Sequence, residues 1–243
     1  MGKLGIYLLA NYPSKEVFLE AVQACQDFGV DFLEVGFAFS DPVADGDLLE
    51  RASFEVLKRC TVSDFFQSFQ AARQIFTGKI YIMTYTNLVY RHGVAEFAKR
   101  AGTMDGLILA DLPLREMRRF KRGLKGTKMN IVRFLTPESR DEDMALALEE
   151  GGGGFIYFIS KRGTTGGGFE LDEETRRKIA LVRGKGVDVC IGFGIQDRQD
   201  LETAYQAAGG AIIGTKAVAE LERGIEPFKD FLRDLKGSQS VQA

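Results

Sequence analysis

The chain has 243 residues, 45% of them hydrophobic and 27% charged, which is the balance of a folded globular protein and not of a disordered or fibrous one. Its 32 basic and 34 acidic residues give a net charge of −2 without a basic block, so nucleic acid is not an expected partner. Three cysteines without a CxxC spacing exclude a disulfide scaffold and a thiolate zinc site, and favour a reducing compartment. The amino-terminal apolar run is too short for a signal peptide or a membrane span, so we expect a cytoplasmic protein without a membrane partner.

Short apolar runs alternate with amphipathic segments along the chain, a pattern typical of repeated strand–helix units. Strands are predicted at residues 4–10, 32–37, 80–84, 106–110, 130–134, 155–159, 188–191 and 211–213. The first helix begins after Ser14, a suitable N-cap residue, the second runs through Phe54 and Leu57, and the third opens at Thr61 and ends near Gly78. Further helices are predicted near 93–101, 114–124, 139–150, 172–184, 196–207 and 216–236.

Eight continuously apolar strands, each followed by a helix, indicate a parallel sheet that is buried on both faces. Eight units of roughly 30 residues favour a closed (β/α)8 TIM barrel over an open doubly wound sheet, which is the alternative. The glycine runs at 151–154 and 166–168 flank the sixth strand and do not separate domains. We therefore expect residues 1–243 to form one domain, with the last seven residues disordered.

Glu34 is a lone charged residue within the apolar run of the second strand, Phe-Leu-Glu-Val-Gly-Phe. In a barrel its side chain is expected to point into the interior, where burial raises the pKa of a carboxyl group and suits it to general acid/base catalysis. The alternative is a buried glutamate that pairs with a neighbouring cation and has a purely structural role. Position alone leaves both interpretations open.

The loop after this strand, residues 39–47, carries three carboxylates: Asp41, Asp45 and Asp47. A solvated acidic loop in which Asp47 caps the next helix is one interpretation. The other is that one carboxylate reaches over the barrel mouth beside Glu34, which would place two titratable groups in different environments. Catalytic groups of barrel enzymes lie on such loops, at the carboxyl ends of the strands.

Two glycine-rich turns late in the chain are typical of a phosphate-binding site. Residues 192–195 (Gly-Phe-Gly-Ile) follow the seventh strand, and residues 209–215 carry the eighth strand into its helix and end in Thr215. Backbone N–H groups at glycines approach an anion closely, and helix amino-termini favour negative charge. Because the loops after strands seven and eight form the recurrent phosphate site of this fold, we expect a phosphorylated ligand; plain glycine turns are the alternative.

The remaining features have simpler interpretations. Residues 160–168 form a long, polar, glycine-rich segment, interpreted as a lid at the barrel mouth; a disordered surface loop is the alternative. His92, the only histidine, is assigned to a turn, so neither a histidine triad nor a metal site is expected. The phenylalanine stripe of residues 65–69 is assigned to the core, and the basic run 115–125 to a solvated helix face.

Seven segments resemble, in order along the chain, the motifs of the tryptophan synthase α subunit family. They are residues 33–46, 85–89, 110–113, 157–160, 163–166, 192–195 and 214–215. The first, LEVGFAFSDPVADG, is the most specific, whereas the glycine motifs alone would not identify the family. The resemblance runs from about residue 4 to about residue 220.

The resemblance implies a (β/α)8 lyase of tryptophan biosynthesis that cleaves indole-3-glycerol phosphate to indole and glyceraldehyde 3-phosphate. It implies that Glu34 protonates indole C3 and takes the glycerol hydroxyl proton, while Asp45 holds and deprotonates the indole N–H. The residues implied to line the indole pocket are Leu49, Ile108, Tyr157, Thr165 and Phe193. Those implied to bind the phosphate are Gly166, Gly194, Gly214 and Thr215.

No metal or organic cofactor is implied for this chain. The implied partner is a β subunit that carries pyridoxal phosphate and consumes the indole, in a heterotetramer of two α and two β subunits. Residues 38, 47 and 50 depart from the family, since they are Ala, Asp and Glu where proline, proline and glutamine are usual. The two added carboxylates lie beside the catalytic loop and bear on its mobility and on docking of the β subunit.

Two alternatives to a lyase stay open. One is a barrel that binds and activates a β subunit without chemistry of its own; the presence of both Glu34 and Asp45 argues against it. The other is a different phosphate-binding barrel enzyme, such as a sugar-phosphate isomerase or a prenyl-phosphate transferase. Such an enzyme would share the glycine turns but has no reason to carry the segment FSDPVADG.

Overall fold

The computed structural model describes residues 2–149, 154–160 and 171–237. The strands in these ranges are β1 (Lys3–Leu9), β2 (Phe32–Gly36), β3 (Lys79–Thr84), β4 (Gly106–Leu109), β5 (Asn130–Ile131), β6 (Arg133–Leu135), β7 (Ile156–Ile159), β8 (Val189–Gly192) and β9 (Gly210–Ile213). The α-helices are α1 (Lys15–Asp27), α2 (Asp47–Leu57), α3 (Val62–Ile75), α4 (Thr86–His92), α5 (Val94–Arg100), α6 (Met117–Gly123), α7 (Asp141–Glu149), α8 (Glu173–Arg183), α9 (Arg198–Ala208), α10 (Thr215–Arg223) and α11 (Ile225–Lys236).

The nine strands form one parallel sheet in the order β5-β4-β3-β2-β1-β9-β8-β7-β6. β1 lies between β2 and β9, so the beginning and the end of the chain are paired within the sheet. The two ends of this order, β5 and β6, are joined in the chain by Val132 alone, whose N–H donates to the carbonyl of Leu107 at 2.8 Å. The sheet therefore closes on itself through a fifth strand in two segments, which confirms the predicted (β/α)8 barrel.

Local sequence signals fix several helix ends. Ser14 caps α1, where its hydroxyl accepts from the N–H of Val17 at 3.2 Å. Thr61 and Asp64 form a capping box at the start of α3. Such caps stabilise a helix by about 1 kcal/mol each, because they satisfy N–H groups that have no partner within the helix.

The barrel interior is filled by its own cluster of side chains. The residues of this inner cluster are Phe32, Tyr81, Ile108, Val132, Phe155, Tyr157, Cys190 and Ile212. Phe32 on β2 meets Phe155, which directly precedes β7, at a ring-centroid distance of 5.2 Å; β2 and β7 are not neighbours in the sheet, so this contact crosses the interior. A larger cluster packs the helices against the outside of the barrel, where Phe37 stacks on Phe65 at 4.3 Å.

Some predicted elements were wrong in detail. Residues 86–92 form α4, so His92 ends a helix and does not lie in a turn. The single helix predicted at 216–236 is two helices, because Gly224 adopts φ 125°, a value that ends α10. The predicted helix at 114–124 begins with a 3-10 turn over residues 114–116 and continues as α6.

Other assignments are confirmed. The phenylalanines of 65–69 are buried, and so are the apolar residues interleaved with the basic run 115–125. Residues 161–168 of the predicted lid, glycines 151–153 and 166–168, and the last six residues of the predicted tail lie outside the described residues. Within the described ranges, the structure has no helix that is long and apolar enough to cross a membrane.

Candidate active site

A cavity of about 540 Å³ opens at the carboxyl-terminal ends of the strands, which is within the usual size range of small-molecule sites. Its walls include Met83 from β3, Ile159 from the end of β7 and Ser160 directly after it. Glu34 and Asp45 both line this cavity. The cavity therefore lies at the end of the barrel where the catalytic groups of this fold are expected.

Glu34 stands in the middle of β2, with Tyr7 of β1 and Tyr81 of β3 beside it in register. Its side chain is buried, and none of the described residues hydrogen-bonds to its Oε2 atom. Burial, and secondly the negative charge of Asp45, raise the pKa of Glu34 to about 8. Among the described residues no lysine or arginine forms an ion pair with Glu34, as a purely structural role would require, and the raised pKa makes the group mainly protonated at neutral pH.

Asp45 lies on the loop between β2 and α2 and is only partly buried. Burial raises its pKa to about 6, a hydrogen bond with the Tyr85 hydroxyl acts in the opposite direction, and the charge of Glu50 adds to the increase. At pH 7 Asp45 is therefore mainly ionised while Glu34 is mainly protonated. One cavity thus holds a proton donor and a carboxylate that can stabilise positive charge.

Tyr85, directly after β3, holds the Asp45 loop in place. Its hydroxyl oxygen accepts from the N–H of Ala44 at 3.1 Å, and its ring stacks on Phe39 at 5.1 Å. The contacts therefore reach both sides of the loop as well as the Asp45 carboxylate. Tyr85 had no predicted role from sequence, although it opens one of the family-like segments and follows a predicted strand.

Two tyrosines occupy the barrel mouth beside Glu34, and each passes over a glycine. A Cβ atom at Gly36 would overlap the hydroxyl end of Tyr7, and one at Gly192 would overlap that of Tyr157. Burial raises the pKa of both tyrosines well above its ordinary value, so both stay protonated. Tyr157 was expected in the pocket; Tyr7 was missed, because one polar atom at the end of an aromatic ring does not interrupt an apolar strand pattern.

The two glycine-rich turns meet at the cavity as the sequence predicts. After β8, Phe193 and Gly194 both adopt positive φ angles, 79° and 86°, a conformation that is uncommon for a residue with a side chain. The Ser160 hydroxyl donates to the carbonyl of Phe193 at 3.0 Å and ties this turn to the end of β7. Gly194, Gly214 and Thr215 all line the cavity, and Thr215 begins α10.

The other expected pocket residues are distributed as follows. Leu49 on α2 and Phe193 line the cavity, and the Phe193 ring lies 6.3 Å from that of Tyr157. Ile108 is fully buried in the inner cluster and is not among the residues that line the cavity. Thr165 and Gly166 lie outside the described residues.

No group of three or more His, Cys, Asp or Glu side chains in residues 2–149, 154–160 and 171–237 is arranged to hold a metal ion. The cavity is instead lined by two carboxylates, aromatic rings and glycine turns. A closed parallel barrel with two carboxyl groups of raised pKa in a cavity at the carboxyl ends of its strands is typical of a (β/α)8-barrel enzyme.

Comparison with known proteins identifies the family of this enzyme. The family model described as tryptophan synthase alpha chain matches residues 2–242. The chain is 31% identical to the tryptophan synthase alpha chain of Maridesulfovibrio salexigens over 92% of its own length and 89% of the relative's. It is 31% identical to that of Methanosarcina mazei, over 97% and 88% of the two chains. The chain belongs to the tryptophan synthase alpha chain family.

Solved structures agree with this assignment. A chain of Mycobacterium tuberculosis tryptophan synthase superposes with a TM-score of 0.86 at 28% identity, over 97% of this chain and 91% of that one. A chain of the tryptophan synthase complex from Pyrococcus furiosus gives 0.83 at 26% identity, over 96% and 97%. The expected family and activity are therefore confirmed: the chain is a lyase of tryptophan biosynthesis that cleaves indole-3-glycerol phosphate. This family needs no cofactor in the alpha chain itself.

Proposed function

We propose that Glu34 and Asp45 carry out this cleavage as a complementary acid–base pair. The observation that carries the proposal is that both carboxyl groups line one cavity, where burial raises their pKa values to different levels, about 8 for Glu34 and about 6 for Asp45. The Glu34 Oε2 atom supports it, because it is buried, has no hydrogen-bond partner among the described residues and can therefore bond to substrate. Neither alternative, a different phosphate-binding barrel enzyme or a barrel without chemistry of its own, requires two carboxyl groups of different pKa in one cavity.

In the first half of the reaction, the Glu34 carboxyl donates its proton to indole C3, and the Asp45 carboxylate takes the proton of the indole N–H. The product is a neutral indolenine, a Glu34 carboxylate and a protonated Asp45. In the second half, Glu34 removes the proton of the glycerol hydroxyl next to the ring, and the carbon–carbon bond breaks. The electron pair returns to the ring, the nitrogen recovers its proton from Asp45, and both carboxyl groups regain their starting states.

The rest of the cavity binds the two ends of the substrate in this proposal. Leu49, Tyr157 and Phe193 form the apolar wall for the indole ring, and Ile108 supports the wall from the inner cluster. Thr165, which is outside the described residues, is proposed to complete the indole pocket. The backbone N–H groups of Gly166, Gly194 and Gly214 and the hydroxyl of Thr215 hold the phosphate. Separating the two ends of the substrate orients the scissile bond beside Glu34.

Glu34→Gln tests the pair. The amide has the size of the acid but neither gives nor takes a proton, so indole release should fall by about 10²–10⁴-fold. Glu202→Gln, an exposed glutamate on α9, is the matched control and should keep wild-type turnover. If Glu34→Gln retains more than about a tenth of the rate, which is less than general acid–base catalysis contributes, Glu34 is not the acid–base group.

The partner in this proposal is a tryptophan synthase β subunit that carries pyridoxal phosphate, in a cytoplasmic assembly of two α and two β subunits. The whole chain acts as one barrel domain in it. The exposed apolar side chains of Val43 (81%) and Phe54 (51%), on the catalytic loop and on α2, support a docking surface there.

Turnover by the isolated chain and by a mixture with saturating β subunit tests the partner: docking should raise the rate, and Val43→Asp should weaken that increase. Equal rates would contradict the proposal.

A further inference from the structure

Lys216 is the second residue of α10 and lines the cavity next to Gly214 and Thr215. It is the only lysine or arginine among the described residues that line this cavity, whereas Glu34 and Asp45 both place carboxyl groups there. Lys216 had no predicted role from sequence. A cation here lies at the part of the cavity that carries the Gly214 turn.

The ammonium group of Lys216 is held by an ion pair that can release it. Its Nζ lies 2.7 Å from Oε1 of Glu220, one helical turn along α10. The other carboxylate oxygen of Glu220 lies 2.6 Å from Nη1 of Arg223. Glu220 is almost completely buried, so it would not tolerate the loss of every partner, but each of its oxygens has its own cation. If Lys216 turns away, Arg223 still neutralises the carboxylate.

Lys216 also has room to move. Its side chain is 39% exposed, and it lies between the main cavity and a neighbouring groove that is lined by Gln196, Arg198 and Asp230. A lysine side chain has a flexible four-carbon stem and a compact charge, so its ammonium group can shift by several ångströms without moving the backbone. Arg223 lines the groove but not the main cavity.

We propose that Lys216 is a phosphate-binding residue, which exchanges Glu220 for the phosphate of the substrate and makes the site selective for the dianion. This inference rests on the proposed function in one respect, the position of the phosphate at the Gly194 and Gly214 turns. The backbone turns supply neutral donors, and Lys216 adds a full positive charge to them. The charge also offsets the repulsion between a dianion and the ionised Asp45 in the same cavity.

Lys216→Met tests the inference, because methionine keeps most of the side-chain length without the charge. The probe is glycerol 3-phosphate, whose binding is measured by titration calorimetry at pH 7.5 and at pH 5.5. We expect about tenfold weaker binding at pH 7.5 and a smaller loss at pH 5.5, where the phosphate is mainly a monoanion, since its second pKa is about 6. Lys216→Arg should restore most of the affinity. Arg198→Met is the matched control, since it removes a cation from the neighbouring groove that pairs with Glu202 and not with Glu220, and it should change binding by less than about twofold.

Steady-state kinetics give a second readout. A contact to the phosphate, which does not react, should raise the KM for indole-3-glycerol phosphate in Lys216→Met and leave kcat nearly unchanged. Equal affinity of Lys216→Met and wild type for glycerol 3-phosphate would overturn the inference. So would an Arg198→Met variant that loses as much affinity as Lys216→Met, since the effect would then come from the overall positive charge of this region. Failure of the wild type to release indole would contradict the acid–base proposal, but the binding comparison would still decide the role of Lys216.

Discussion

The hydroxyl end of Tyr157 on β7 lies directly over the backbone of Gly192 on β8, in space that a Cβ atom would fill. The two strands are neighbours in the barrel, so the glycine lets the ring lie flat across the adjacent strand. This arrangement sets the position of the Tyr157 ring, which forms part of the cavity wall together with Phe193. Because Gly192 has no side chain, it leaves room for the Tyr157 ring and so determines the shape of the cavity wall.

Gly192→Ala should displace the Tyr157 ring into the cavity and lower kcat/KM for indole-3-glycerol phosphate by about 10–100-fold, because a misplaced pocket wall misorients the substrate. Kinetic measurement at fixed pH checks this. The control is Gly184→Ala, at the end of α8, where the nearest atom to a new Cβ is 3.3 Å away and the active site is distant. A Gly192→Ala enzyme with unchanged kcat/KM would show that the ring position does not matter.

The pH dependence of kcat/KM should be bell-shaped. The reactive form has Glu34 protonated and Asp45 ionised, so activity should rise with an apparent pKa of about 6 and fall with one of about 8. Because the charge of Asp45 contributes to the raised pKa of Glu34, the residual activity of Asp45→Asn should decline at lower pH than in the wild type. An alkaline limb that stays in place in this variant would exclude the coupling of the two groups.

Glu50→Gln tests the effect of a departure from the family. The Glu50 charge raises the pKa of Asp45, so its removal should favour the Asp45 carboxylate and shift the acidic limb of the kcat/KM profile to lower pH. Asp47→Asn is the control, because Asp47 starts the same helix but does not contribute to the raised pKa of Asp45. If the two variants shift the limb equally, the effect is not specific to Glu50.

Glu34 should also make the stability of the protein depend on pH. Its folded pKa of about 8 lies above its ordinary 4.5, so its contribution is fully favourable below pH 4.5 and is lost as the pH rises to 8. As the pH rises within this window, the free energy of unfolding of Glu34→Gln should therefore increase relative to that of the wild type, by at most roughly 1.4 kcal/mol per pH unit. Urea unfolding at pH 5, 6.5 and 8 measures the difference, and a difference that is constant with pH would contradict the raised pKa.

The barrel was predictable because each strand is an apolar run between helical patterns and every signal is local. The fifth strand was predicted as continuous, whereas β5 pairs with β4 and β6 pairs with β7, so its division at Val132 depends on the neighbouring strands and not on residue type. Helix α4 was missed because it is one short element squeezed between β3 and α5. The long carboxy-terminal helix was predicted as one because the amphipathic pattern is regular on both sides of Gly224. The sequence does not reveal the positive φ angle of this glycine, which ends α10.

For the site, lone charges and glycine turns carried the prediction. Glu34 is conspicuous in the sequence because it is a lone charge in an apolar strand. Asp45 is conspicuous because it belongs to a loop that resembles the family motif. Tyr7 and Lys216 are not conspicuous, since a tyrosine is common in strands and a lysine is common on helices. Their positions at the cavity follow only from the register of β1 against β2 and from the direction in which α10 leaves β9.

The pairing of β1 with β9 has a consequence for biosynthesis. Lys3 and Gly210 are partners in the sheet although about two hundred residues separate them. While the chain is being synthesised, one edge of β1 has no strand to bond to until the last part of the barrel has left the ribosome. Exposed parallel edges of this kind invite association with other unfinished chains. Correct folding of this enzyme therefore requires that β9 pairs with β1 before a strand of another molecule does.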